Sequence, residues 1–204
     1  MVALDGFRIS FRTEKILETY QDIELIVPSK TLGDLARILS SSETKDVLLY
    51  VTDKHALFEL EECKIITRLI DGSFLKYENI FTDDYKTIVK LNRHDFLESI
   101  ERVTVIDDSK KMPIKFKLEE EKIIISSNTE VDTSREEIAA NIDGDKLEIA
   151  FNPKYLIDAL KAIESEKISV QFTTSLMPCI IKPYSEENLS LNAKYLILPL
   201  KLKG

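Results

Sequence analysis

The chain is poor in the residues that carry most ready-made chemistry. Of its 204 residues only two are cysteine and two histidine. Cys63 and Cys179 lie far apart, so they form neither a disulfide framework nor a Cys-x-x-Cys pair. Both sit in β-like runs and read as small buried hydrophobes. His55 and His94 fall in no ligand spacing such as His-x-x-x-His. Five glycines and six prolines exclude collagen-like or low-complexity designs. No apolar run approaches the ~20 residues needed to span a bilayer. The start, Met1-Val-Ala-Leu-Asp-Gly, lacks the charged and apolar regions of a secretory signal, so the expected home is the cytoplasm. A Gly-rich phosphate loop, a Gly-x-Ser-x-Gly elbow and a zinc-type Cys cluster are also missing. Asp83-Asp84 and Asp107-Asp108 read as solvated turn residues rather than an acid/base or metal pair. The expectation is no catalytic residue, no metal and no cofactor.

What is present describes a folded chain. Hydrophobic residues make up 44% and charged residues 31%, which suits a soluble globular protein. Net charge is −8, from 28 basic and 36 acidic residues. That excludes a module coating nucleic acid with its whole surface, but not one with positive charge confined to one face.

The strongest signal is an internal repeat. Three amphipathic segments share one grammar: Val27–Leu39, Leu91–Val103 and Phe151–Ile163. Each follows a short β-like stretch and opens on a helix-start signal, Pro28-Ser29, Asn92 and Asn152-Pro153. Pro28 to Asn92 is 64 positions and Asn92 to Asn152 is 60. The apolar stripes are Leu32, Leu35, Ile38, Leu39; Phe96, Leu97, Ile100, Val103; and Leu156, Ala159, Leu160, Ile163. Three β-like runs follow every helix: Val47–Val51, Ala56–Leu60, Lys64–Arg68; Ile114–Leu118, Lys122–Ser126, Glu136–Ala140; and Ile168–Phe172, Cys179–Lys182, Tyr195–Pro199. Alternation such as Ile114-Lys-Phe-Lys-Leu reads as a half-buried antiparallel strand. The predicted fold is α+β: repeats of strand–helix–three strands, antiparallel sheets with one helix per repeat.

Three units divide awkwardly into pairs. If two make a domain, residues 83–204 hold a complete one and residues 1–82 half of another, with the polar stretch Phe81–Tyr85 as boundary. A lone half-domain leaves sheet edge and apolar surface uncovered. The chain therefore reads as the C-terminal portion of something longer, or as one that pairs with another copy.

Six ordered motifs resemble a known family: Val2–Ile9, Val27–Leu32, Arg68–Tyr77, Leu147–Leu156, Pro178–Ile181 and Tyr195–Leu202. In sequence the chain is similar to the C-terminal part of the bacterial DNA polymerase III beta subunit, the sliding clamp. The resemblance implies a DNA clamp (processivity) fold and a processivity factor for DNA replication. In this family two three-domain chains close head to tail around duplex DNA. A heterologous joint needs both complementary surfaces, so this chain alone is not expected to form the usual homodimer ring.

The resemblance also implies an apolar groove that tethers polymerase, clamp loader and repair proteins through short hydrophobic motifs of the Gln-Leu-x-Leu-Phe kind. The matching positions are Gly6, Phe7, Arg8, Ile9, Leu75, Asn79, Ile80, Pro178, Leu196, Ile197, Leu198, Pro199 and Leu200. The competing reading is that these aliphatic residues fill a core. Departures fall at Leu4 (usually Thr), Leu75 (usually Pro) and Asn79 (commonly Arg). Non-specific, sliding contact with duplex DNA is expected from the helices' polar faces, at Lys30, Arg37, Arg93, Arg102, Lys154 and Lys161. The alternative function is a non-enzymatic structural homodimer that pairs half-domains, without a DNA role. Neither reading calls for a membrane.

Overall fold

The sequence's helix-start signals work as expected in two of the three repeats. The Asn92 side chain accepts the backbone N–H groups of His94 at 2.8 Å and Asp95 at 3.2 Å. Asn152 accepts that of Lys154 at 3.0 Å, and Pro153 occupies the first helical position. The third start, at Pro28, relies on proline's fixed backbone and has no side-chain cap.

The computed structural model describes residues 1–15, 22–43, 46–77, 80–81, 84–105, 112–128, 132–185 and 193–201. Along the chain these form β1 (Val2–Leu4), β2 (Arg8–Arg12), α1 (Ser29–Ser41), β3 (Leu48–Val51), β4 (His55–Glu59), β5 (Lys64–Arg68), β6 (Thr87–Asn92), α2 (Arg93–Val103), β7 (Ile114–Glu119), β8 (Lys122–Asn128), β9 (Thr133–Ala139), β10 (Asn141–Gly144), β11 (Glu148–Phe151), α3 (Pro153–Lys161), β12 (Lys167–Phe172), β13 (Cys179–Tyr184) and β14 (Ala193–Ile197). No helix among the described residues is long and apolar enough to cross a membrane.

Two compact units result, residues 1–15 with 79–204, and residues 16–78. The larger unit has a seven-stranded sheet in the order β1-β2-β14-β13-β12-β6-β10 and a four-stranded sheet β11-β7-β8-β9. All their pairings are antiparallel. The two repeats exchange strands. β6 precedes α2 but pairs with β12, the first strand after α3, whereas β11 precedes α3 but pairs with β7, the first strand after α2. Neither repeat could close its sheet without the other.

The core lies where the exchange places the alternating residues. Ile114, Phe116 and Leu118 of β7 are buried, as are Ile168, Val170 and Phe172 of β12. Phe96, Phe116, Phe151 and Phe172 form a ladder of tilted rings with centroids 5.4, 5.6 and 6.5 Å apart, drawn from both repeats. Helices α2 and α3 lie against each other. Gly144, with φ +123°, lets β10 approach β6: a Cβ there would stand 2.0 Å from the Lys86 carbonyl oxygen.

The smaller unit carries one repeat only. Its sheet runs β3-β4-β5, and Leu35 of α1 packs with Ala56, Phe58 and Leu60. The β-like stretch expected before α1 forms no strand over residues 22–28.

Candidate functional site

The motif Val2–Ile9 folds as a tight hairpin. Leu4 faces Ile9 across it, and Gly6 supplies the turn with φ +85°. Strand β2 then pairs with β14, Arg8 opposite Ile197 and Ile9 opposite Leu196. Strand β14 pairs in turn with β13, Cys179 opposite Ile197. Carried one residue further, that register sets Pro178 opposite Leu198. The Leu198 N–H donates to the Phe7 carbonyl at 2.9 Å, and the Leu200 N–H to the Ala150 carbonyl at 2.8 Å. Residues from both ends of the chain thus meet where three adjacent strands leave the sheet.

The side chains there form a surface of exposed apolar groups on a fixed polar frame. Phe7 stacks on Tyr155 with centroids 6.0 Å apart and planes at 22°. It nonetheless stays 54% exposed. The Arg8 guanidinium lies 4.7 Å from the centroid of the same Tyr155 ring. Arg8 also donates from Nε to Asp5 at 2.8 Å and from Nη1 to Asp158 at 2.7 Å. Burial alone lowers the pKa of Arg8, but the bonds to Asp158 and Asp5 outweigh it and raise the value. Burial tends to raise the pKa of Asp5, but the bonds from Arg8 and from the Phe7 N–H hold it below the ordinary value. Arg8 therefore braces the hairpin and offers little free positive charge.

The structure divides the expected groove residues. Gly6, Phe7 and Leu198 are exposed, and Arg8, Pro178, Pro199 and Leu200 are half-buried around them. Ile9 and Leu196 are buried in a small cluster with Ile180, against which Ile80, Val2, Phe81 and Tyr85 pack. Ile197 belongs to the main core. These buried residues back the surface rather than form it. Leu75 lies in the smaller unit and is exposed, and Asn79 falls outside the described residues. Sequence reading missed Tyr155 and Asp158, which follow the Asn152-Pro153 signal. It also missed the exposed Leu176 and Met177 just before Pro178. The signal for Tyr155 and Asp158 was positional only: both lie in the first two turns of α3.

The expected DNA-facing cations differ in how free they are. Lys30 and Lys154 are exposed. Arg37 pairs with Asp34 at 3.2 Å, and Lys161 with Glu101 at 2.7 Å. Arg102 reaches Glu98, Glu136 and Ser99 at 3.3, 3.1 and 3.0 Å. Arg93 is half-buried and donates to the carbonyls of Ser165 and Leu160 at 2.9 and 3.3 Å, tying the start of α2 to the end of α3. Among the described residues no group of three or more His, Cys, Asp or Glu could hold a metal ion. Burial pushes the Cys179 thiol far up from its ordinary pKa, so it is no nucleophile.

A pair of strand-exchanged repeats, each with one helix and antiparallel strands, defines a class by its fold: clamp-type domains. Residues 78–201 match the C-terminal domain of the DNA polymerase III beta subunit, and residues 1–76 match its central domain. This chain belongs to the DNA polymerase III beta subunit family, as the motifs anticipated. It is 30% identical to the beta sliding clamp of Staphylococcus epidermidis over 202 residues, 98% of this chain and 52% of that one. The crystal structure of a DNA polymerase III beta subunit from Eubacterium rectale is similar at TM-score 0.89 and 33% identity, over 98% of this chain and 54% of that one. The Caulobacter crescentus beta sliding clamp is similar at TM-score 0.88 and 27% identity, over 98% of this chain and 53% of that one. That structure has polyethylene glycol bound at a proposed beta-motif tethering region. The chain spans about half the length of the curated relatives it matches.

Proposed function

We propose that this chain is a non-catalytic sliding-clamp subunit of DNA replication. Residues 1–82 would be the second half of a middle domain and residues 83–204 a complete last domain. Its task is to hold replication and repair proteins, polymerase and clamp loader among them, at duplex DNA. The surface at Phe7, Tyr155, Leu176, Met177 and Leu198 docks their short hydrophobic peptides. Such a peptide is mobile, so it must bury a few aromatic or aliphatic anchors to offset its ordering entropy. Tethering then raises the local concentration of the partner without any chemistry by the clamp. The cytoplasm is the proposed location.

The observation that carries this reading is the juxtaposition of Phe7 with Leu198. Their 2.9 Å backbone bond joins the two ends of the chain, and both side chains remain exposed. The tethering region in the Caulobacter clamp supports it. For DNA, Lys30 and Lys154 are exposed and available for phosphate contact, whereas Arg37, Arg102 and Lys161, also exposed, are engaged in ion pairs. The acidic partners around Arg37, Arg102 and Lys161 keep that contact weak, as sliding requires.

The test is fluorescence anisotropy with a labelled peptide carrying Gln-Leu-x-Leu-Phe. Saturable binding that Leu198→Asp abolishes, with the circular dichroism unchanged, is the expected result. A folded chain that does not bind the peptide would overturn the proposal. Leu196 is unsuitable for this substitution because it is buried, and a charge there would unfold the cluster around it.

A further inference from the structure

We propose that the outward face of the seven-stranded sheet docks an extended, acidic segment of a partner protein, at a place separate from the apolar surface. The strand registers locate it. On β6, β12, β13 and β14 the residues Val89, Val170, Ile181 and Tyr195 stand in one row and are buried in the core. Their chain neighbours Lys90, Ser169, Lys182 and Lys194 therefore point away from it. Lys90 faces Ser169, and Ser169 faces Lys182. Carried one residue beyond Ile181 opposite Tyr195, the register sets Lys182 opposite Lys194. The row thus holds three lysines across four strands, and ends at Asn141 on one side and Phe11 on the other. None of these positions is a carboxylate. Asp143, on the same face of β10, stands one step along the strands, opposite Ile88.

The two sheets of the larger unit treat lysine differently. On the four-stranded sheet Lys115 pairs with Glu148, Lys117 with Glu119 and Lys122 with Glu137. On the outward face of the seven-stranded sheet the lysines lie over rings. Lys90 Nζ is 4.6 Å from the Tyr184 centroid, Lys182 Nζ 5.3 Å from that of Tyr85, and Lys194 Nζ 5.6 Å from that of Phe81. Among the described residues Lys90 and Lys194 form no ion pair. A ring attracts an ammonium group but bears no net charge, so it orients the row without neutralising it. Like charges directly opposite on neighbouring strands, as at Lys182 and Lys194, repel. In a chain of net charge −8 this row is a local reversal of sign, and negative charge laid along it relieves the repulsion.

The same geometry selects carboxylates over nucleic acid. A single strand is held by bases stacked on open rings, whereas Tyr184, Tyr85 and Phe81 each give a face to a lysine. Carboxylates need only the ammonium groups. From Lys194 to Lys90 is three strand spacings, about 14 Å, which about five extended residues cover. The occupant is therefore a short run rich in Asp and Glu, crossing the strands.

Fluorescence anisotropy on the whole chain with a labelled peptide of alternating Asp and Glu tests this. The peptide has no apolar anchor, so the result is independent of docking at Phe7 and Leu198. Saturable binding that weakens as salt is added is expected. It should be roughly tenfold weaker when Lys90→Gln, Lys182→Gln and Lys194→Gln are combined. Lys54→Gln with Lys76→Gln, exposed lysines of the smaller unit, should bind as wild type. Carbodiimide coupling, which joins a bound carboxylate to the amine it touches, reads the site on wild type even if the triple variant does not fold. The peptide is expected on Lys90, Lys182 or Lys194. Absence of binding at low salt overturns the proposal, as do equal losses in both variants or coupling spread over Lys54 and Lys76. A single-stranded oligonucleotide that binds these lysines more tightly than the peptide overturns the acidic partner in favour of nucleic acid. A dimer that the triple variant dissociates overturns it in favour of a second copy.

Discussion

Replacing Phe7 by alanine separates a docking surface from ordinary packing. The ring is 54% exposed and rests on Tyr155. Burying a whole Phe side chain is worth about 2 kcal/mol, so the exposed half offers a partner about 1 kcal/mol. That converts to a roughly fivefold weaker peptide dissociation constant in Phe7→Ala. The fold itself loses the half already buried, about 1 kcal/mol, together with the ring contact with Tyr155, about 0.5–1.5 kcal/mol. Anisotropy titrations of wild type and variant give the first number, and urea denaturation gives the second. Ile66→Ala, also an exposed apolar residue but on the sheet of the smaller unit, is the control and should leave affinity unchanged. An unchanged affinity in Phe7→Ala would refute the assignment of this surface. An equal loss in the control would show that the peptide binds any exposed hydrophobe.

Three further outcomes are expected. Gly144→Ala should destabilise the larger unit by about 2–4 kcal/mol in chemical denaturation, since the added Cβ meets the Lys86 backbone at a positive φ. Thiol titration should count one reactive cysteine in the native chain, the half-buried Cys63, and two only after unfolding frees Cys179. Asp5 has its carboxyl held below the ordinary 3.8, so its contribution to stability is full above that value and is lost as pH falls through the lowered one. Denaturation of wild type beside Asp5→Asn should therefore show a gap at neutral pH that closes in acid; a gap independent of pH would remove Asp5 from the hairpin's support.

Residues and spacing alone determined much of this protein. The caps at Asn92 and Asn152, Pro153, and the alternation Ile114-Lys-Phe-Lys-Leu are local instructions, and each produced the expected element within a few residues. The six ordered motifs, taken together, likewise pointed to the family. Local periodicity cannot say which strand lies beside which, because pairing is a contact between distant residues. Only the tertiary structure decided that β6 and β11 cross to the other repeat, and that β2 joins the edge of β14. That second pairing made Leu198 and Phe7 a surface while turning Leu196, Ile197 and Ile9 into its buried backing. The tertiary structure likewise committed Arg8 to Asp5 and Asp158, and, through the packing of α2 on α3, Arg93 to backbone carbonyls, where the sequence shows only two cations. The smaller unit shows the converse. Residues 22–27 carry a strand's alternation but form no strand, because a β-strand is defined by its neighbours and none of the described residues forms a ladder with them.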